Sequence, residues 1–111
     1  MEITFQSNKL QKIFISPSSL LQKYGIDRGK AIMRRISFIR SAQNLAEIPS
    51  EPPTRRHQLL GKRSGQFALD ISKNYRLIFE PNHKPLLKKK DGGLDLTRIT
   101  SIKILQVEDY H

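Results

Sequence analysis

Cysteine is absent from this chain of 111 residues, which excludes disulfide bonds and any chemistry that uses a thiol. Histidine is nearly as rare, because only His57, His83 and His111 are present and they lie far apart in the sequence. Zinc sites combine cysteine and histidine at short, regular spacings. We therefore expect no metal site in this protein, and we predict no cofactor.

Long apolar segments are also missing, and hydrophobic residues make up 37% of the chain. No apolar run approaches the length that a membrane-spanning helix needs. The first residues, Met1 to Phe5, lack the basic and then apolar layout of a signal peptide, so we expect a cytoplasmic protein. The length suits one domain, and we predict a single domain over residues 1–111.

Acidic residues are scarce: ten Asp and Glu stand against twenty Lys and Arg, which gives a formal net charge of +10. The excess is concentrated in residues 55–90, which hold ten Lys or Arg and only two acids. Clustered positive charge attracts polyanions, so this distribution favours a nucleic-acid partner. Acidic proteins and anionic membrane surfaces attract the same charge and stay open as alternatives on charge alone.

Helical signals dominate the first part of the chain. Ser7 can cap a first helix, and Ser16-Pro17 opens a second helix that Gly25 can end. Asp27 opens a longer helix, which we predict to reach about Asn44 and to be amphipathic. Its apolar face consists of Ile32, Ile36 and Ile39, and its polar face of Lys30, Arg34, Ser37 and Ser41.

Strand signals follow in the middle of the chain. Residues 66–71 and 75–80 alternate apolar and polar side chains on either side of a short turn, Ser72-Lys73-Asn74, as expected for two strands of a hairpin. In the second of these strands Arg76 points to the face opposite Tyr75 and its apolar neighbours. The inward side chains are predicted to be Phe67, Leu69, Ile71, Tyr75, Leu77 and Phe79.

The remaining segments connect or complete this sheet. Residues 46–56 contain three prolines and are predicted to be a connector, because proline cannot continue a helix. Residues 81–93 are predicted to be a loop tipped by three lysines, and a last strand is predicted from about Arg98 to Tyr110. With a short strand over residues 2–6, the chain is predicted to be an α+β domain, in which two or three N-terminal helices pack on a small antiparallel sheet.

Three stretches of the chain resemble one family of small basic toxins. Their order and spacing match over roughly residues 55–111, and the helical part matches in layout. The stretches are His57-Gln58-Leu59-Leu60-Gly61 with Gly65-Gln66-Phe67-Ala68-Leu69, then Asn74-Tyr75-Arg76-Leu77-Ile78-Phe79, and finally Val107-Glu108-Asp109-Tyr110-His111. The chain thus resembles the HigB-like branch of the RelE superfamily, also called plasmid-maintenance killer toxins.

This resemblance implies a RelE-like fold and a specific activity. Members of this group are ribosome-dependent endoribonucleases, or mRNA interferases, of type II toxin–antitoxin systems. The expected partners are a HigA-like helix-turn-helix antitoxin, mRNA in the ribosomal A site and 16S ribosomal RNA, and no membrane partner is expected. Cleavage is expected to use the ribose 2′-OH as the nucleophile and to need no metal.

The resemblance implies four catalytic residues, and their side chains suit RNA cleavage. A histidine titrates near neutrality, so His111 is a candidate general acid or base. The planar donor fork of Arg76 can bind the scissile phosphate. Asp109 can orient or help to protonate the site. Tyr110 can stack on a base or pack on the core.

Six basic residues are predicted to contact RNA or the ribosome through phosphate groups, without base specificity. These residues are Lys62, Arg63, Lys73, Lys88, Lys89 and Lys90. The family often has a lysine just before the glycine of its first turn, where this chain has Leu60, and Lys62 or Arg63 can supply that charge. We predict a structural role for His57 and a solvated side chain for His83.

Two other functions are compatible with the sequence. ParE-like toxins, on a related scaffold, poison DNA gyrase. They need no acid–base group, so the Tyr110-His111 pair favours the ribonuclease. A non-enzymatic nucleic-acid or ribosome-binding module would explain the charge but not the ordered motifs.

Overall fold

The computed structural model describes residues 1–109, and Tyr110 and His111 lie outside the described residues. Three helices follow a first short strand, as the capping signals predicted. Ser7 and Ser16 each accept a hydrogen bond from the backbone N–H three residues later, and Gly25, at φ +89°, separates the second helix from the third. The helices are α1 (Asn8–Phe14), α2 (Pro17–Tyr24) and α3 (Ile26–Ser41), so α3 ends three residues before the predicted position.

The five strands form one mixed sheet with the order β1-β5-β4-β3-β2. The strands are β1 (Glu2–Phe5), β2 (His57–Gln58), β3 (Phe67–Ser72), β4 (Tyr75–Pro81) and β5 (Ser101–Asp109). The pairs among β2 to β5 are antiparallel, as predicted, whereas β1 pairs in parallel with β5. A parallel pair needs a long crossover, and the helices with the rest of the sheet supply one here. The predicted α+β class is confirmed, with one parallel pair in the sheet.

The helices cover one face of the sheet. Ile32, Ile36 and Ile39 of α3 are buried as predicted, and they belong to the same core cluster as the inward side chains of β3, β4 and β5. Phe67 and Phe79 are fully buried and stack with ring centroids 5.5 Å apart. The face away from the helices carries the polar side chains of these strands together with two buried apolar side chains, Ala68 and Ile78.

The segment between β4 and β5 is more ordered than the predicted loop. Lys88 and Leu94 form a β-bridge, and the Lys89 N–H donates to the Gly93 carbonyl oxygen at 2.7 Å. A 3₁₀ turn, Leu96–Arg98, then leads into β5, which begins three residues later than predicted. The three lysines are therefore displayed at the tip of a small hairpin.

Gly29 allows α2 and α3 to pack closely. A Cβ atom at this position would lie 2.9 Å from Leu21 Cδ2 and 3.0 Å from the Leu20 carbonyl oxygen. In Gly29→Ala, overpacking should lower the free energy of unfolding by about 1–3 kcal/mol, whereas the higher helix propensity of alanine should raise it by about 1 kcal/mol. We expect a net loss in the free energy of unfolding, measured by urea denaturation. Ser37→Ala on the exposed face of α3 is the control and should not destabilise the protein.

Candidate active site

A row of charged side chains crosses the sheet on the face away from the helices. In the strand register Asp70 of β3 lies opposite Arg76 of β4, and Arg76 lies opposite Glu108 of β5. Side chains directly opposite each other in an antiparallel pair point to the same face. Arg76 therefore lies on the predicted face, between two carboxylates.

Glu108 binds two arginines at the centre of this row. Arg76 donates to Glu108 Oε2 from both Nε and Nη2, each at 2.6 Å. Arg63 Nη1 lies 2.8 Å from the other carboxylate oxygen, Oε1. The side chains of Arg76 and Glu108 are only 18% and 20% exposed, so this ion pair is screened by solvent less than a surface pair. Two guanidinium groups thus converge on one carboxylate.

Asp70 forms a second ion pair at the β3 side of the row. Its Oδ2 lies 3.0 Å from Arg55 Nε, and Arg55 has a left-handed backbone, φ +49°. Arg35 of α3 donates from Nε to the Asp70 carbonyl oxygen at 2.8 Å. Burial lowers the pKa of Arg35, the nearby Arg34 lowers it further, and Asp70 partly opposes both. Arginine titrates so far above neutrality that Arg35 stays charged.

Arg63 reaches the site from the turn that follows β2. This turn is a 3₁₀ helix, Gly61–Arg63, in which Lys62 is exposed and Arg63 is half-buried. Besides Glu108, Arg63 contacts Gln66, with Nε to Oε1 at 3.4 Å. Leu60, where the family often has lysine, is 85% exposed. Of the two candidates for the missing charge, Arg63 contacts the carboxylate that also binds Arg76.

The other predicted catalytic residues are Asp109, the last residue of β5, and Tyr110 and His111, which follow it in the sequence. Asp109 is exposed and pairs in register with Tyr75, whose ring packs against the helix-side core. Because strand side chains alternate between faces, Glu108 rather than Asp109 shares the face of Arg76. The roles of Asp109, Tyr110 and His111 stay predictions, and the last two residues lie outside the described part of the chain.

The predicted phosphate-binding lysines all lie at the protein surface. Lys73 is exposed in the turn between β3 and β4, and Lys88, Lys89 and Lys90 are exposed on the hairpin. A groove of about 330 Å³ separates this hairpin from the segment around Ser64 that follows the Arg63 turn. The basic hairpin and the residue that follows Arg63 therefore line the same groove.

Comparison with known proteins rests on structure, because no protein-family model and no curated protein sequence matches the chain. A YoeB/ParE toxin from Agrobacterium tumefaciens superposes with a TM-score of 0.57 and 10% identity over 100% of both chains. The fold is that of RelE/YoeB-like toxins.

Two further structures are similar to this chain. A YoeB–YefM complex from Staphylococcus aureus has a TM-score of 0.54 and 18% identity, over 100% of this chain and 97% of that chain. A toxin from Helicobacter pylori has a TM-score of 0.55 and 17% identity, over 98% of this chain and 93% of that chain. The superpositions establish the RelE/YoeB-like fold, and at these low identities they do not assign the chain to the HigB-like branch.

The two histidines in the described part of the chain lie outside the arginine cluster. His57 Nδ1 lies 2.7 Å from the Arg55 carbonyl oxygen, a contact that agrees with the structural role predicted for it. His83 is half-buried, and its Nε2 accepts a hydrogen bond from the Thr100 N–H at 3.1 Å. The prediction of a solvated His83 was therefore wrong, because its ring joins the loop to the start of β5.

Within residues 1–109, no group of three His, Asp or Glu side chains is arranged to hold a metal ion. The helices of that same part of the chain are all too short or too polar to cross a membrane.

Proposed function

We propose that this protein is the toxin of a type II toxin–antitoxin pair and that it cleaves mRNA on the ribosome, as members of the HigB-like branch do. The observation that carries the proposal is the convergence of Arg63 and Arg76 on one sheet face, in a fold shared with toxins. Two guanidinium groups side by side suit a phosphate that gains charge in a transition state.

In the proposed reaction the RNA supplies its own nucleophile. A general base removes the proton of the ribose 2′-OH, and O2′ attacks the adjacent phosphorus. The bond from phosphorus to O5′ breaks, and a general acid protonates the leaving O5′, so the products are a 2′,3′-cyclic phosphate and a 5′-hydroxyl. We propose that Arg76 and Arg63 stabilise the negative charge of the phosphorane. His111 would carry out the proton transfers with help from Asp109 or Tyr110.

The ribosome is proposed to hold the mRNA while the basic surface holds the ribosome. Lys62, Lys73 and the hairpin lysines 88–90 are exposed, so they can contact phosphates of mRNA in the A site and of 16S ribosomal RNA. Such contacts position the protein without reading base sequence. The expected place of action is the cytoplasm.

An antitoxin is the proposed protein partner. One of the similar structures is a complex of YoeB with YefM, and the resemblance in sequence favours a HigA-like helix-turn-helix protein for this chain. The cations concentrated in residues 55–90 would attract an acidic surface of that partner and speed association, most strongly at low salt.

Primer extension on mRNA in a translating extract tests the proposed function. We expect discrete cuts at ribosome-occupied codons and no cuts when translation is blocked before ribosomes load. Free RNA incubated with the protein in excess EDTA should stay intact. A strong magnesium-requiring cut of free RNA would contradict the proposal.

Gyrase poisoning is the second candidate, because the Agrobacterium tumefaciens structure is described as both YoeB and ParE. It would produce trapped DNA breaks and leave mRNA uncut. A plain binding module would produce neither result, so one pair of assays separates the three functions.

A further inference from the structure

We propose that Glu108 is a positioning residue that holds Arg63 and Arg76 together as a two-arginine phosphate clamp. This inference rests on the proposed function for its substrate, and on the described geometry for the clamp itself. The last stretch of the resemblance contains Glu108 but assigns it no role, and its partners belong to two distant segments of the chain.

The geometry shows why one carboxylate can orient both groups. Each oxygen of Glu108 serves one arginine: Oε1 contacts Arg63 Nη1, and Oε2 contacts Arg76 Nη2 and Nε. Without this carboxylate, two adjacent guanidinium groups would repel each other and turn toward solvent. Glu108 therefore lowers the cost of keeping two cations side by side before RNA arrives.

Glu108 also leaves donors for a substrate. A guanidinium has five N–H groups, and Glu108 accepts only one of them from Arg63, whose side chain is 34% exposed. The exposed part of the Arg63 guanidinium can thus contact phosphate while Glu108 stays in place.

The same residue fixes the Arg63 turn to the sheet. The 3₁₀ turn lies between β2 and β3, at the far side of the sheet from β5. The contact from Arg63 to Glu108 crosses that distance, and Arg76 of β4 lies between them in strand order. Loss of the carboxylate should release the turn without opening the core, because these side chains lie on the face away from the helices.

Glu108→Gln tests this role, since it keeps the shape of the side chain and removes its charge. On ribosomes programmed with mRNA we expect kcat to fall about 10- to 100-fold, as misplaced catalytic groups cost rate, with little change in KM. Glu108→Asp keeps the charge and should recover part of kcat. Glu80→Gln is the matched control: Glu80 pairs with Lys103 at 3.5 Å across the same two strands and should behave as wild type.

A binding measurement separates failure of this inference from failure of the proposed function. The arginine Nε–H signals of ¹⁵N-labelled protein are followed by NMR during titration with inorganic phosphate. Signals of Arg63 and Arg76 should shift together in wild type and respond more weakly in Glu108→Gln, even if ribosome-bound mRNA is never cut. A wild-type kcat in Glu108→Gln, or tighter phosphate binding by that variant, would overturn the proposal, the latter because the carboxylate would then be competing with phosphate.

Discussion

Replacing Arg76 by alanine should lower the rate of mRNA cleavage about 100- to 1,000-fold, the range for loss of one donor to a charged transition state. The guanidinium lies at the centre of the charged row and is only 18% exposed, so water cannot readily replace it. Single-turnover cleavage on programmed ribosomes, with growth arrest as the readout in cells, measures the effect. Circular dichroism should show a normal fold, because Arg63 remains to pair with Glu108.

Two further variants are needed to interpret the result for Arg76→Ala. Arg76→Lys keeps the charge but loses the planar fork, and it should recover only part of the rate. Lys89→Ala removes an exposed charge from the hairpin tip, where screened attraction contributes roughly tenths of a kcal/mol to about 1 kcal/mol, so ribosome affinity should fall mildly. Equal effects of Arg76→Ala and Lys89→Ala would show that Arg76 is an ordinary surface charge.

Replacing His111 by glutamine should nearly abolish cleavage, because general acid–base catalysis contributes about 100- to 10,000-fold. Glutamine keeps hydrogen-bonding capacity at similar size but cannot transfer a proton near neutral pH. His111 follows β5 by two residues and belongs to the ending that resembles the HigB-like toxins. Thermal unfolding should be unchanged, since the first and last residues of a domain generally bury little.

The control for His111 is His83, which lies two residues after β4 and accepts a hydrogen bond from Thr100, the residue before β5. His83→Gln keeps an acceptor for the Thr100 N–H and should leave cleavage intact. If His111→Gln instead cleaves mRNA at the wild-type rate, the proposed proton transfers are wrong. Arg76 with Arg63 would then have to supply the whole rate enhancement through charge stabilisation.

Local patterns were sufficient to predict most of the fold. Helix signals act over only one or two helical turns, so they can be recognised in the sequence. The structure places the capping serines, Pro17 and the isoleucines of α3 as predicted. The parallel partner of β1 could not be found in this way. Its pairing with β5 joins residues about a hundred positions apart. The alternation of four residues predicts a strand but does not show which other strand it pairs with.

The sequence could predict the position of a site residue only where that position depends on a single strand. The alternation along β4 correctly placed Arg76 on the other face of the sheet from Tyr75 and Leu77. Glu108 was missed because its meeting with Arg76 depends on the β4–β5 register, which shifts at an irregularity between Ile78 and Phe79. The acidic residues in the last strand were a usable signal, since an acid in a strand beside a basic strand often has a cross-strand partner. Arg63 needed the long-range fold of the turn after β2.

The last strand in the sequence, β5, lies inside the sheet, between the first strand and β4. During synthesis on a ribosome, β1 therefore has no partner until residues 101–109 have left the exit tunnel. The two strands that present Glu108 and Arg76 also become neighbours only then. A chain interrupted before residue 101 would lack the second strand of its sheet and one side of its charged row. On the proposed function, a chain interrupted before residue 101 would therefore be inactive, because it would lack Glu108 and the strand that joins β1 to β4.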